Sequence, residues 1–253
     1  MALLETKNPT VRVAATTQVA EVLVRRIIQE MKPGEQLESE AELASTHQVS
    51  RVTIREALKI LAGRGLLQIQ RGRRAEVRYP DGSSYGEFLS SLIKSDPRCM
   101  FDLLQVRRSL EIQSVMLATK FTSRSGLAAI EASLNTMKEV AYGFDAAGDQ
   151  MAQELRFHRA DVGFHEALAL AGGNRVLVYL FEGMTTSLVE AFRASRRGQK
   201  LRGHTFLDCY ESHLRIFNLV SRGDAKAAAS AMQTVLNAAE ADLKAAYGAT
   251  LTT

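Results

Sequence analysis

Two helix-start signals lie eleven residues apart near the N-terminus of this chain, forcing a short helix, a tight turn and a second helix. Ser39-Glu40-Ala41-Glu42 is a capping box: the Ser39 hydroxyl accepts from the Glu42 N–H, and the Glu42 carboxylate accepts from the Ser39 N–H. The helix it opens can run only to about Thr46, because Ser50 caps the next one. In that second helix Ile54, Leu58 and Leu61 fall at i, i+4 and i+7 and face inward, while Arg51, Arg55 and Lys59 share the outward face. Gly63-Arg64-Gly65 stops it. Upstream, Val19, Val22, Leu23, Ile27 and Met31 stripe a helix over Thr17 to Met31, ended by Lys32-Pro33-Gly34. Downstream, Leu66–Gln70 and Ala75–Tyr79 read as two short strands about the turn Arg71-Gly72-Arg73-Arg74. Three helices followed by a small β-hairpin make a winged helix-turn-helix, expected over residues 1–80 with 1–15 as a loose arm.

Charge points to what this module touches. The chain carries a net +4, and the excess is concentrated in one place. Residues 51–78 hold eight Lys/Arg against Glu56 and Glu76, while residues 81–253 are balanced at nineteen of each sign. A focused basic patch on a helix-turn-helix is the footprint of polyanion binding. A recognition helix presents its N-terminal residues to base edges in the major groove, and the arginine fork meets guanine O6 and N7 together. Arg51 and Arg55 are therefore the expected readers. Ser50 and Thr53 are positioned for phosphate or base hydrogen bonds, and Arg71, Gly72 and Arg73 form a basic wing tip.

Pro80-Asp81-Gly82-Ser83-Ser84 is turn-rich and marks a boundary. Residues 81–95 are expected to be linker plus a first short helix. Over 96–253 the pattern is helical throughout, with segments near 100–119, 124–142, 150–171, 174–195, 204–222 and 225–246. The fold class is mainly α, with an antiparallel helical bundle following the N-terminal module. In the bundle, polar residues sit on stripes that should be apolar. Phe157, Asp161, Phe164, His165 and Leu168 share one face; Phe206, Cys209, Tyr210, His213, Phe217 and Val220 another; Leu104, Arg107, Glu111 and Val115 a third. Charged groups facing a core are costly unless paired or bound to something, so a pocket is expected here. Asp161 and His165, at i and i+4, are spaced to chelate one divalent ion, with His213 as a third ligand from a neighbouring helix. The same spacing also suits a core histidine held by its carboxylate. Arg107 and Glu111 equally suit a buried ion pair. Arg193, Arg196 and Arg197 either line the pocket mouth or face solvent.

The residues Pro33-Gly34-Glu35-Gln36-Leu37, Ser39–Ala44, Val49–Leu58 and Leu61–Leu67 together resemble the DNA-binding domain of GntR-family regulators. That resemblance implies DNA contacts at Ser50, Arg51, Thr53, Arg55, Arg71, Gly72 and Arg73. It departs from the family at Arg74, which replaces the second glycine of the wing, and at Ala41, where some members carry a DNA-contacting arginine. Val106-Arg107, Glu111, Asp161, Phe164-His165, Gly173-Asn174 and Glu211-Ser212-His213 are similar to the all-helical FCD-type effector domain of the FadR-like branch. That likeness implies an effector site at Arg107, Glu111, Asp161, His165 and His213. It also implies a divalent metal, zinc or similar, on Asp161, His165 and His213, with Arg107 meeting an effector carboxylate. Many members use one aspartate and three histidines; here Val235 stands at the last histidine's position. His158, one turn before Asp161, is a further candidate.

The expected activity is therefore sequence-specific regulation of transcription, as a repressor, by a homodimer on a palindromic site in double-stranded DNA. A small organic acid or acyl derivative bound in the bundle would modulate it. The competing reading is a helical-bundle metalloenzyme with an accessory DNA-binding module. Against it, His165-Glu166 begins like a zincin motif but Ala169 stands where the second histidine is required, so no enzymatic activity is expected. The two cysteines, Cys99 and Cys209, have no zinc-finger spacing. Without a signal-like N-terminus or a long apolar run, the chain is expected in the cytoplasm and off the membrane.

Overall fold

The computed structural model describes residues 9–79, 81–145 and 147–248. They form two compact units that meet between Ser84 and Tyr85.

The first unit contains α1 (Pro9–Glu30), α2 (Glu40–Thr46), α3 (Arg51–Gly63), β1 (Leu67–Gln68) and β2 (Glu76–Val77). The Ser39 capping box forms as its sequence dictates: Ser39 Oγ accepts from Glu42 N at 3.2 Å and Glu42 Oε2 accepts from Ser39 N at 2.8 Å. Ile54 and Leu61, fully buried, turn α3 onto Leu23 of α1, and Leu37, Leu43 and Leu67 close the same core. Between α2 and α3 the chain turns through Gln48 at φ +54°, a left-handed conformation that costs a non-glycine residue about 1–2 kcal/mol.

Two expectations are corrected. Residues 9–15, expected as a loose arm, belong to α1; residues 1–8 lie outside those described. Val13 and Ala14 are exposed, so they leave no apolar stripe in the sequence. The strands are also shorter than expected, with only Leu67↔Val77 and Gln68↔Glu76 in register. The other edge of β2 is occupied instead: Gly34 N donates to Val77 O, Val77 N to Glu35 O and Leu37 N to Ala75 O, all at 2.8 Å. The segment after α1 thus acts as a third, irregular member of the wing sheet.

The second unit holds α4 (Ser83–Ser95, starting at the boundary), α5 (Cys99–Phe121), α6 (Arg124–Gly143), α7 (Gln150–Ala171), α8 (Arg175–Leu201), α9 (Phe206–Ser221) and α10 (Ala225–Tyr247). Side-chain caps set the starts of four of them: Ser123 opens α6, Asp149 opens α7, Asn174 opens α8 and Asp224 opens α10. α9 opens on a second capping box, Thr205 with Asp208. α10 packs on α5, α8 and α9, and α7 on α5, α6 and α8. α7 and α9 meet through side chains, with Phe157 stacked on Phe206 at 4.3 Å. The core is aliphatic and aromatic, centred on Phe157, Phe164, Phe181, Met137 and Leu168.

Helices α8 and α10 pass closely at Gly198, where an added Cβ would collide with the Asp242 carbonyl of α10. Gly198→Ala is therefore expected to cost about 1–3 kcal/mol through forced separation of the helices. Gly63→Ala, which meets nothing, should be neutral or stabilising by up to about 1 kcal/mol. Urea unfolding of the two variants checks this; equal midpoints would contradict it.

Candidate functional site

The outward face of α3 is built from its cap. Ser50 Oγ accepts from Thr53 N at 3.1 Å and lies 2.9 Å from the Thr53 hydroxyl. Thr53 is buried while Ser50 is exposed, so Thr53 holds Ser50 at the helix start from inside. Arg51, Arg55 and Lys59 are exposed on one face. Arg55 donates to both carboxylate oxygens of Glu40, Nε to Oε1 at 3.2 Å and NH2 to Oε2 at 2.7 Å. That hydrogen bond, against a small burial effect, lowers the Glu40 pKa. Arg51 has no ion-pair partner among the described residues. The helix therefore presents one held arginine and one free one.

Gly72 adopts φ +76° at the wing tip, and Arg73 N donates to Gln70 O at 3.1 Å to close the turn. Arg71 and Arg73 are exposed beside it. Arg74 needs no left-handed backbone, since Gln48 is the sole non-glycine residue with positive φ among those described. It reaches Glu42 of α2 at 3.5 Å. The wing thus closes with one glycine, and an ion contact ties its base to the helix-turn-helix.

In the second unit a cavity of about 530 Å³ opens between α5, α7, α8, α9 and α10. Arg107, His158, Asp161, His165, Cys209, His213 and Val235 all line it. Its apolar walls include Leu103, Leu104, Val162, Leu188 and Phe192.

The polar side is one connected chain. Glu111, 1% exposed, stands between two cations or would-be cations: Arg107 Nε donates to Oε1 at 2.6 Å, and His165 Nδ1 lies 2.6 Å from Oε2. The second contact is off the line of an ideal hydrogen bond. Burial pushes the Glu111 carboxyl up, but Arg107 and His165 outweigh it and hold the pKa at about 2. A carboxylate this close favours a proton on His165 Nδ1, and in the neutral ring that leaves Nε2 as an acceptor. His213 Nδ1 is 2.8 Å from the Cys209 carbonyl, so it donates there. His213 Nε2 then faces Asp161 Oδ1 at 3.0 Å and His165 Nε2 at 3.2 Å, with Asp161 Oδ1 4.0 Å from His165 Nε2. Three acceptor atoms thus converge on one point, and such an arrangement needs a cation in their midst. A proton on His213 Nε2 is one solution. Burial opposes the imidazolium, yet Cys209 and the Asp161 carboxylate raise the His213 pKa well above the ordinary histidine range. Burial likewise opposes the Asp161 charge, and His213 more than offsets it, lowering that pKa. A divalent ion is the other solution. Ligand atoms on a tetrahedral zinc lie about 3.3–3.6 Å apart, and the three observed separations bracket that span. The residues present therefore fit a metal.

Of the five expected effector-site residues, the structure brings Arg107, Asp161, His165 and His213 to the cavity, and Val235 with them, while Glu111 is buried behind Arg107 and His165 and does not line it. Cys209 joins them unexpectedly: ligand atoms of Asp161, Cys209 and His213 lie within 4.8 Å of one another. In the sequence it lies on the same stripe as His213, four residues before it, where a thiol reads as ordinary packing. His158 is buried and stacked on Phe192 at 4.0 Å, and neither ring nitrogen has a hydrogen-bond partner. Arg193, Arg196 and Arg197 do not line the cavity. Arg196 lies over the Phe206 ring at 3.8 Å and Arg197 donates to the Ala246 carbonyl.

Residues 15–77 match the family described as bacterial regulatory proteins, gntR family, and residues 102–238 match the FCD domain. The chain is 31% identical over 204 residues to the HTH-type transcriptional regulator LutR of Bacillus subtilis, covering 80% of this chain and 89% of that one. It is 31% identical over 235 residues to the HTH-type transcriptional repressor NanR of Edwardsiella tarda, covering 91% and 86%. Among solved structures, Streptococcus agalactiae GntR aligns with a TM-score of 0.68 at 25% identity, over 88% of this chain and 97% of that one. The chain belongs to the GntR family of transcriptional regulators, with an FCD domain after its DNA-binding domain. The winged helix-turn-helix is thus a DNA-binding module, and the metalloenzyme reading is not favoured. No described helix is long and apolar enough to cross a membrane.

Glu111→Ala would leave Arg107 and His165 without their shared counter-charge, and a loss of about 3–5 kcal/mol of stability is expected. Glu111→Gln, which keeps the shape, should cost less. Thermal unfolding of both variants tests this; a wild-type midpoint for Glu111→Ala would show that the carboxylate is not structurally required.

Proposed function

We propose that the chain is an effector-controlled repressor, acting as a homodimer on a palindromic site in double-stranded DNA. The observation that carries the effector reading is the convergence of Asp161 Oδ1, His165 Nε2 and His213 Nε2 beside Arg107 in an otherwise apolar-walled cavity. In this reading Asp161, His165 and His213 hold a divalent metal, which when bound supplies a positive centre able to accept a carboxylate oxygen. Arg107, anchored to Glu111 through Nε alone, has its terminal NH groups available for the same carboxylate. Leu103, Leu104, Val162 and Leu188 suit a short carbon skeleton, which makes an organic acid or acyl derivative the effector class. Glu166, the one acid that could mimic a hydrolytic base next to His165, accepts instead from the Thr185 hydroxyl and does not line the cavity. That supports a binding role over an enzymatic one.

On the DNA side, Arg51 is proposed as the principal base reader, with Arg55 beside it, held by Glu40. Ser50, supported by Thr53, and the wing residues Arg71, Gly72 and Arg73 meet the phosphate backbone. Effector binding favours an arrangement of the dimer unable to match both half-sites, so repression is relieved. The relatives named as repressors support the direction of control.

Two measurements test this reading. Arg51→Ala should weaken operator binding about tenfold or more, the worth of one bidentate base contact, with an unchanged melting temperature; undiminished affinity would overturn the assignment. Protein stripped with chelator should melt at a higher temperature on addition of zinc, by mass action on the folded state. A further rise with small carboxylates should disappear in Arg107→Ala while the zinc response persists. No response to any divalent ion would remove the metal from the proposal.

A further inference from the structure

The cavity contains two donor pairs of the same form. Asp161 and His165 are four residues apart on α7, and Cys209 and His213 are four residues apart on α9. Each pair projects from one helical face, and the pairs meet through His213, whose Nε2 lies 3.0 Å from Asp161 Oδ1 and 3.2 Å from His165 Nε2. Val235, which lines the same cavity from α10, has no donor atom to offer. The Cys209 thiol is a free thiol, 3.7 Å from His213 Nδ1, and that nitrogen already donates to the Cys209 carbonyl at 2.8 Å. The sulfur thus shares His213 Nδ1 with that shorter bond, and its ligand atom lies within 4.8 Å of those of Asp161 and His213.

We propose that Cys209 is the fourth metal ligand of this chain, completing an Asp161–His165–Cys209–His213 set of one oxygen, two nitrogens and one sulfur. The inference rests on the reading that Asp161, His165 and His213 hold a divalent ion. It has two chemical consequences. A thiolate donor selects zinc or cobalt over magnesium or manganese, which favour all-oxygen sets. The bound ion joins α7 to α9 alone, whereas a ligand at position 235 would also have tied α10 to the site.

The test uses the full chain, stripped with chelator, kept reduced and titrated with Co²⁺ alone while its absorption is recorded. Bound cobalt gives visible d–d bands, and a thiolate ligand adds a near-ultraviolet sulfur-to-metal charge-transfer band. Both are expected in the wild-type protein. The charge-transfer band should survive Cys99→Ser and vanish in Cys209→Ser, whose cobalt affinity falls about tenfold or more. Should Cys209→Ser fail to fold, retention of the band in Cys99→Ser still assigns the sulfur, because the chain has two cysteines. Visible bands without charge transfer, or a band lost in Cys99→Ser, would overturn Cys209 as ligand and leave the three-residue site standing. Absence of any cobalt spectrum would overturn both.

Discussion

The buried carboxylate of Glu111 orders the effector half of this protein. A charge in a helical core is tolerable only when its partners return most of the lost hydration, and Glu111 has two, Arg107 on its own helix and His165 on α7. The bridge sets which nitrogen of His165 carries the proton. That choice leaves Nε2 bare and directs it toward His213 and Asp161. The convergence of acceptor atoms in the cavity follows from this tautomer. With the opposite one, His165 would present an N–H to the convergence point, and no cation would be called for. Glu111 is thus the outer support of a site whose inner atoms it never touches, a division of labour common where imidazoles bind metals.

The DNA-binding unit relies on a different kind of constraint. Its geometry comes from backbone donors satisfied by side chains: Ser39 with Glu42 at the start of α2, and Ser50 with Thr53 at the start of α3. These caps decide where each helix begins, and so which residues stand in its first turn. The Arg55–Glu40 pair then links the two helices on their exposed side. Such a pair adds little stability in solvent, but it limits where the Arg55 fork can point and leaves Arg51 unencumbered. Arg74 plays a similar part in the wing, where its contact with Glu42 does the closing that a second glycine would otherwise leave to the backbone.

Most of the helical pattern was legible because it is local. The α3 stripe of Ile54, Leu58 and Leu61, the caps Ser39 and Ser50, and the glycine stop after α3 all act within a few residues. The first turns of α1 were not legible, since Val13 faces solvent and leaves no periodic trace. The short wing strands were misjudged for a tertiary reason: the chain after α1 competes for the outer edge of β2. In the bundle, inward-facing Asp161, His165 and His213 could be picked out as costly polar residues on apolar stripes. Cys209 could not, because a thiol on such a stripe is unremarkable packing until its neighbours are known. Gly198 was equally silent; only the nearness of Asp242 gives it a role.

By itself, then, the sequence determined the class of protein: a capped, basic helix-turn-helix with a wing, followed by a helical bundle whose core carries charge. These are properties of spacing and composition, which survive without knowledge of distant contacts. Tertiary structure alone decided the chemistry of the pocket. Arg107 and Glu111 lie on one helix, Asp161 and His165 on a second, and Cys209 and His213 on a third. Hydrogen-bond direction, protonation and the convergence of acceptors depend on the 3.0 and 3.2 Å contacts between α7 and α9, and a linear sequence does not encode such distances residue by residue.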